Sequence, residues 1–400
     1  MRQISSAITV AGSNDRYEGV LLTAGAPEGY RLKEEAVSEP PVPSGKFMVD
    51  PYLDWIQREG IPVHEDFGLD LLRLETRPWA RFGVNGAIAH VRGRGDFMTV
   101  FLLDIPPGGR TSPQRHLFEH AVLALSGHGS TMVRDHAGQS HSFEWGPNSI
   151  FAPPLNTEHQ LYNTSGLEPA RLAVACNMPA IYNMFRSESF VFANPCSFPE
   201  REGAPEHFKG DGNFIPVRAG KHMWETNFIP DAMRLGLHGW AERGGGSSSV
   251  QLILADSILH AHISEMPVGT YKKAHRHGPD VHVFCLSGEG YSLFWYEGDR
   301  DFVRIDWRPG WVFAPPDMMF HQHFNAGGEP VRYLAIGHGS VRYPYTQNMW
   351  SVYRGSDRDV KSGGNQIEYQ DQDPRVHQIF RADLARKGIA SRMKVFEEEE

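Results

Sequence analysis

His275 and His277 stand one residue apart in "KKAHRHGPDVHVF", and His282 follows within the same stretch. Imidazole is a common ligand for divalent metals and is mostly neutral near pH 7. On a strand, alternate side chains share a face, so His275 and His277 can aim two rings at one point. A second stretch, "PDMMFHQHFN", places His321 between Pro316 and Asn325 on what reads as a neighbouring strand. Three imidazoles meeting inside a strand-built shell make a facial metal site with open positions opposite. Lys273 shares parity with His275, which would point its ammonium inward as an anion contact; the ordinary reading of a lysine there is a solvated one.

The pattern recurs earlier in the chain. "FEWGPNSIFAPPLNTEHQLYN" (143–163) matches "IDWRPGWVFAPPDMMFHQHFN" (305–325), so Trp145 pairs with Trp307, His159 with His321 and Asn163 with Asn325. "DIPPGG" (104–109) matches "EMPVGT" (265–270), and "LALSGHG" (123–129) matches "FCLSGEG" (284–290). One offset held over this distance, with a single one-residue slip, reads as duplication of one domain. In the first copy the His-x-His pair has become Gln114-x-His116. With His120 and His159 it still offers three imidazoles, and Gln114 could add an amide oxygen. The first half is therefore either a second metal site or a relic of one.

The elements that must position these residues are short apolar runs such as "AVLAL", "LAVAC", "VFCLS" and "YLAIG", punctuated by Gly, Pro, Asn and Asp. With 41 Gly and 28 Pro among 400 residues, turns are frequent. An all-β fold of two jelly-roll barrels follows. "PYLDWIQREG" (51–60) has helical spacing with Pro51 at its start and Gly60 as a stop, and the C-terminal stretch from 378 also reads as helical before an acidic run. "ERGGGSSS" (242–249) reads as a flexible loop, or more remotely as a phosphate cradle. A net charge of -9 argues against nucleic acid or an anionic membrane as partner. No apolar run is long enough to span a bilayer. The start of the chain lacks the pattern of a signal peptide, and three scattered cysteines make no disulfide frame, so a reduced, cytoplasmic protein is expected.

The spacing around both histidine clusters resembles the cupin superfamily. Gly269, His275, His277 and Gly288 match its first motif; Pro316, His321 and Asn325 match its second, with Met318 where the family has glycine. The likeness covers both halves, so the chain resembles a bicupin: two tandem cupin barrels with short flanking helices. It would divide into an N-terminal arm and helix (1–69), a first cupin (70–195), a linker or insert (196–250), a second cupin (251–345) and a partly helical tail (346–400). The family's glutamate ligand is missing. Counting three residues from His277 reaches Val281, and counting four reaches His282. If the strand follows Gly288 in phase, Val281 faces in; with a longer loop, His282 becomes a fourth ligand.

A site of neutral imidazoles leaves the full divalent charge on the metal and suits a substrate that chelates through two oxygens. "HRHGPDVHVF" and "FHQHFN" are similar to the gentisate, salicylate and 1-hydroxy-2-naphthoate dioxygenase group of bicupins. That resemblance implies Fe(II) and oxidative cleavage of a hydroxylated aromatic acid, with Arg276, Gln322 and His323 as contacts around the metal. The alternative is a non-redox lyase, isomerase or hydrolase using Mn, Zn or Ni on a small organic acid. Either way the partner is a small molecule. Exposed outer sheets and terminal arms suggest a homo-oligomer, dimer or tetramer.

Overall fold

The computed structural model describes residues 49–218, 221–278, 280–340, 342–343 and 357–394. Strands dominate and form two pairs of sheets, a large one facing a small one in each pair. The first large sheet runs Val63–Asp66, Val84–Val91, Thr99–Ile105, Ala170–Cys176, His120–Ser126, Ile150–Phe151 and Phe228–Ile229, with Arg77–Trp79 beside Val84–Val91. Its small partner holds Glu158–Asn163, Gly129–Arg134 and Ser140–Trp145. The second large sheet runs Asn213–Arg218, Lys221–Thr226, Ser248–Leu254, Leu259–Met266, Val331–His338, His282–Ser287, Trp311–Phe313 and Gly68–Asp70. The second small sheet runs Val303–Trp307, Gly290–Trp295, Phe320–Phe324, Ala274–His275 and Gln366–Ile367.

Thr99–Ile105 shows why these strands are apolar without alternation. Phe101, Leu103 and Ile105 join the core inside the first barrel, while Val100 and Leu102 join a layer between the barrels. Leu252, Ala261, Ile263, Phe284 and Ile336 of the second large sheet complete that layer. The two large sheets thus lie back to back, and neither face of such a strand meets water. Each large apolar side chain buried there contributes about 2 kcal/mol. A layer of this size therefore holds the residues from Asp50 onward as one compact unit.

The duplicated residues repeat their work. Trp145 donates its ring N–H to Thr131 Oγ1, and Trp307 to Ser292 Oγ. Asn163 and Asn325 both brace a turn, donating to the carbonyls of Ile105 and Glu168 in one barrel and of Met266 and Glu329 in the other. Gly127 and Gly288 both take the left-handed backbone, at φ 80° and 71°, which favours glycine.

Two expectations change. The 196–250 segment is no free linker: it supplies Asn213–Arg218, Lys221–Thr226 and His238–Gly239 to the second large sheet and Phe228–Ile229 to the first. Gly68–Asp70, ahead of the first barrel, pairs instead with Trp311–Phe313 of the second. Each half thus lends a strand to the other's large sheet. The "ERGGGSSS" stretch is also not flexible. It opens with a 3-10 turn at Ala241–Arg243, and Arg243 and Ser247 are buried. A Cβ at Gly244 would collide with the Tyr369 hydroxyl, and one at Gly245 with the Tyr271 carbonyl, so close packing demands the glycines.

The expected first helix spans Pro51–Glu59, capped by Asp50 and ended by Gly60 at φ 67°. The tail helix spans Pro374–Lys387 and packs Val376, Phe380 and Leu384 on the outer face of the second small sheet, against Tyr271, Tyr291 and Phe324. No helix among the described residues is long and apolar enough to cross a membrane.

Candidate metal centres

His275 lies directly opposite His321 on the neighbouring strand, and His277 follows two residues on. The ring centres of His275 and His277 lie 4.2 Å and 4.6 Å from that of His321. One ligand nitrogen from each of the three falls within 4.8 Å of the others. The second ring nitrogen of each is committed elsewhere: the Nδ1–H groups donate to the carbonyls of Lys273 (3.4 Å), Gly278 (2.8 Å) and Met319 (3.1 Å). A bond of that kind fixes the tautomer and leaves the Nε2 lone pair for a metal. Burial lowers all three pKa values, that of His277 to about 4, and nearby positive charge adds to the effect. The rings are therefore neutral donors at pH 7. Met318, at the position where the cupin motif has glycine, takes φ 52° and donates its N–H to the His277 carbonyl.

The first barrel repeats the arrangement. His116, His120 and His159 have ring centres 4.9 to 5.3 Å apart, and their ligand nitrogens also fall within 4.8 Å of one another. Nδ1–H of His116 donates to the Phe118 carbonyl and that of His159 to Thr157. His116 is held flat on the Phe118 ring, 3.6 Å between centres. Burial lowers all three pKa values. Gln114 bridges to His159 as His275 does to His321. Its amide nitrogen donates to the carbonyls of Arg81 and Ser112, so only its oxygen could serve a metal.

Four expected residues need correction or refinement. His282 does not face the second trio. Val281, Val283 and Cys285 point into the barrel core, while Phe284 and Leu286 point into the layer between barrels. His282 alternates with the former and shares the latter's face, so the phase set by Gly288 wins over the longer loop. It is fully buried there, and its Nε2 has no hydrogen-bond partner among the described residues. We expect His282→Leu to leave metal content unchanged and to add acid stability. Burial depresses the folded pKa of His282 from 6.5 to about 4. The unfolded chain therefore takes up a proton first as pH falls through 6.5, and stability is lost down to pH 4. Removing the group should return about 3 kcal/mol at pH 4, read as denaturation midpoints between pH 7 and 4; loss of metal on this substitution would reinstate His282 as a ligand.

Lys273 is the second correction. Tyr271 bridges to Phe324 and His275 pairs with His321, so four steps on one strand oppose three on the other. That slip is a β-bulge, and a bulge breaks parity. It turns Lys272 inward and Lys273 outward to Glu368, 2.6 Å away. The first barrel has the same slip, from Arg110 with Tyr162 to Gln114 with His159. Arg276 also points away, held by Glu297 at 3.0 Å and lying over the Phe320 ring. Gln322 shares the outer face of its strand with Phe320 and Phe324, and donates to the Lys272 carbonyl.

His323 does face inward. Its ring centre is 5.4 Å from that of His321, and its Nδ1 shares a 2.7 Å hydrogen bond with Ser292 Oγ. Beyond it lies a polar floor, where Lys272 Nζ donates to Ser264 Oγ and to Tyr333 Oη at 2.5 and 2.7 Å. The repeat puts Thr111, Leu103, Leu172 and Leu161 at the corresponding positions of the first barrel. Of these positions the first barrel keeps a single hydroxyl, Thr111, whereas the second has the ionisable Lys272, His323 and Tyr333.

Two residues escaped sequence reasoning. Arg243 is 2% exposed and donates to Asp357 at 3.1 Å, while Nε and Nη1 have no partner among the described residues. Its charge acts on His275, His277, His321 and His323 alike. Gln366 pairs with His275 from the side opposite His321. The one hint was the glycine run after Arg243, which marks a close approach without naming what is approached.

With paired sheets, a matched bulge and a histidine trio in each half, the repeat is structural as well as sequential. The fold is that of a bicupin. Residues 76–197, the first barrel, match the family described as auxin binding protein. Auxin-binding protein 4 of Zea mays is 29% identical over 121 residues, which cover 28% of this chain and 58% of that one. Auxin-binding protein T85 of Nicotiana tabacum is 29% identical over 126 residues, covering 28% and 67%. The chain thus spans about three fifths to two thirds of those relatives. Among solved structures, the oxalate decarboxylase formate complex of Lactobacillus farciminis is 12% identical with a TM-score of 0.47, covering 72% of this chain and 90% of that one. Oxalate decarboxylase of Bacillus subtilis at pH 4.6 is 15% identical with a TM-score of 0.45, covering 72% and 80%.

Proposed function

We propose that this bicupin is a metal-dependent enzyme acting on a small organic acid at the second barrel, by non-redox lyase, isomerase or hydrolase chemistry. The observation that carries the reading is Arg243. A buried guanidinium with two nitrogens, Nε and Nη1, unpartnered among the described residues, beside a trio of neutral imidazoles, recruits an anion. A divalent ion held by His275, His277 and His321 supplies Lewis acidity toward that anion. Arg243 orients the carboxylate, and burial keeps competing water out. His323 and the Tyr333 hydroxyl, tied to Lys272, stand where protons would be delivered or removed. Acid–base chemistry needs such groups; the first barrel has Thr111 and three leucines at the matching positions and no ionisable side chain among them. The relatives named for binding auxin suggest that the His116, His120 and His159 trio holds a small ligand without turning it over.

One observation keeps the ring-cleaving Fe(II) dioxygenase as a second reading. The second trio has no carboxylate among its ligands, which leaves open positions for a chelating substrate and dioxygen. Protein purified without oxygen, analysed for metal and assayed on hydroxylated aromatic and small oxo acids, separates the two. Turnover with Mn, Zn or Ni and no oxygen uptake is expected. Stoichiometric oxygen uptake with Fe(II) would overturn the non-redox reading, and no turnover with any metal would overturn the enzyme.

A further inference from the structure

We infer that the C-terminal tail completes the second metal centre, with the amide oxygen of Gln366 standing in for the glutamate that the cupin motif lacks. The inference rests on the His275, His277 and His321 trio holding a metal. Gln366 lies on the tail strand Gln366–Ile367, which is added to the edge of the second small sheet beside Ala274–His275. It sits directly opposite His275, as His321 does on the other side. Residues directly opposed across antiparallel strands point to the same face, with Cβ atoms about 5 Å apart. His321, His275 and Gln366 therefore form one row facing the barrel interior.

The orientation of the amide is settled by its nitrogen. Nε2 donates to the Glu242 carbonyl and to Glu368 Oε1, both at 3.0 Å. Turning the amide over would set its oxygen against two acceptors. Oε1 is left with no hydrogen-bond partner among the described residues, in a residue that is 0% exposed. A buried carbonyl oxygen without a donor is costly unless something electropositive meets it. A divalent cation held by the adjacent histidines is such a partner, and an amide oxygen is a competent ligand for one. The tail is fastened at several points for this purpose: Asp357 to Arg243, Glu368 to Lys273, Gln372 to the Tyr271 hydroxyl, and the Tyr369 hydroxyl to the Tyr271 carbonyl. In the first barrel the corresponding amide comes from within the motif itself, Gln114 opposite His159. Each centre would then have three imidazoles and one amide.

The test titrates Mn(II) and Co(II) into metal-free wild type, Gln366→Leu and Gln366→Glu, following affinity by chelator competition and the Co(II) absorption bands. The first-barrel centre, which Gln366 does not touch, is the internal control for folding. In Gln366→Leu one of the two sites should weaken at least 10-fold with altered Co(II) bands, and Gln366→Glu should restore or tighten it. Wild-type affinity and spectrum in both variants would overturn the inference. A wild type that takes up no metal at the second centre would overturn the functional reading beneath it.

Discussion

Replacing His275 and His321 together by alanine should abolish turnover and remove the metal bound at the second barrel. A facial trio reduced to one imidazole cannot hold a divalent ion against water. The loss should exceed that of any other pair outside the first-barrel trio, because these two rings also frame the row that Gln366 joins. The paired variant His116→Ala with His159→Ala should remove the metal bound at the first barrel and spare turnover, since the first barrel has Leu103, Leu161 and Leu172 where the second has Ser264, His323 and Tyr333. Metal content by elemental analysis, read beside activity, checks both halves of the statement. Activity lost with the first-barrel pair instead would move the chemistry there. Truncating a buried ring also leaves a cavity, so each variant should be compared by thermal unfolding in the metal-free state.

The second large effect is expected at Arg243. Arg243→Met keeps an unbranched apolar stem and removes the guanidinium and its charge. A hydrogen bond to a charged group contributes about 2 kcal/mol, so the small-acid substrate should bind about 30-fold more weakly. The loss should appear mainly in KM if Arg243 holds the carboxylate equally in ground and transition states. Arg243→Lys should not rescue it, because a lysine cannot present two N–H groups in one plane. Arg243 also answers the Asp357 carboxylate, so Arg243→Met with Asp357→Asn separates loss of the substrate anchor from loss of that pair. Metal content should stay at the wild-type level throughout. Unchanged substrate affinity in both variants would remove Arg243 from the site.

Much of the centre was legible because its signals are local. His275 and His277 share one short stretch, and the repeat supplies His321 and its counterpart His159 at matched positions. The glutamate gap after His277 is equally visible, and so is His282 as a candidate for filling it. What could not be read was the direction in which residues near an irregularity point. Parity alone would turn Lys273 inward, but the bulge between Tyr271 and His275 gives that place to Lys272. His282 failed as a ligand for a related reason: its strand is buried on both faces, so burial says nothing about which face meets the metal.

The sequence alone determined two duplicated β barrels, a histidine trio in each, and a first centre that has Gln114 where the second has His275. These follow from side-chain period and from duplication, both carried by short stretches of chain. Tertiary structure decided which groups surround the trio. Arg243 arrives from a glycine turn packed under Tyr369, and Gln366 from a tail strand added to the sheet edge. Neither residue carries a spacing relative to His275, because the contacts that bring them there form only once the second barrel has closed.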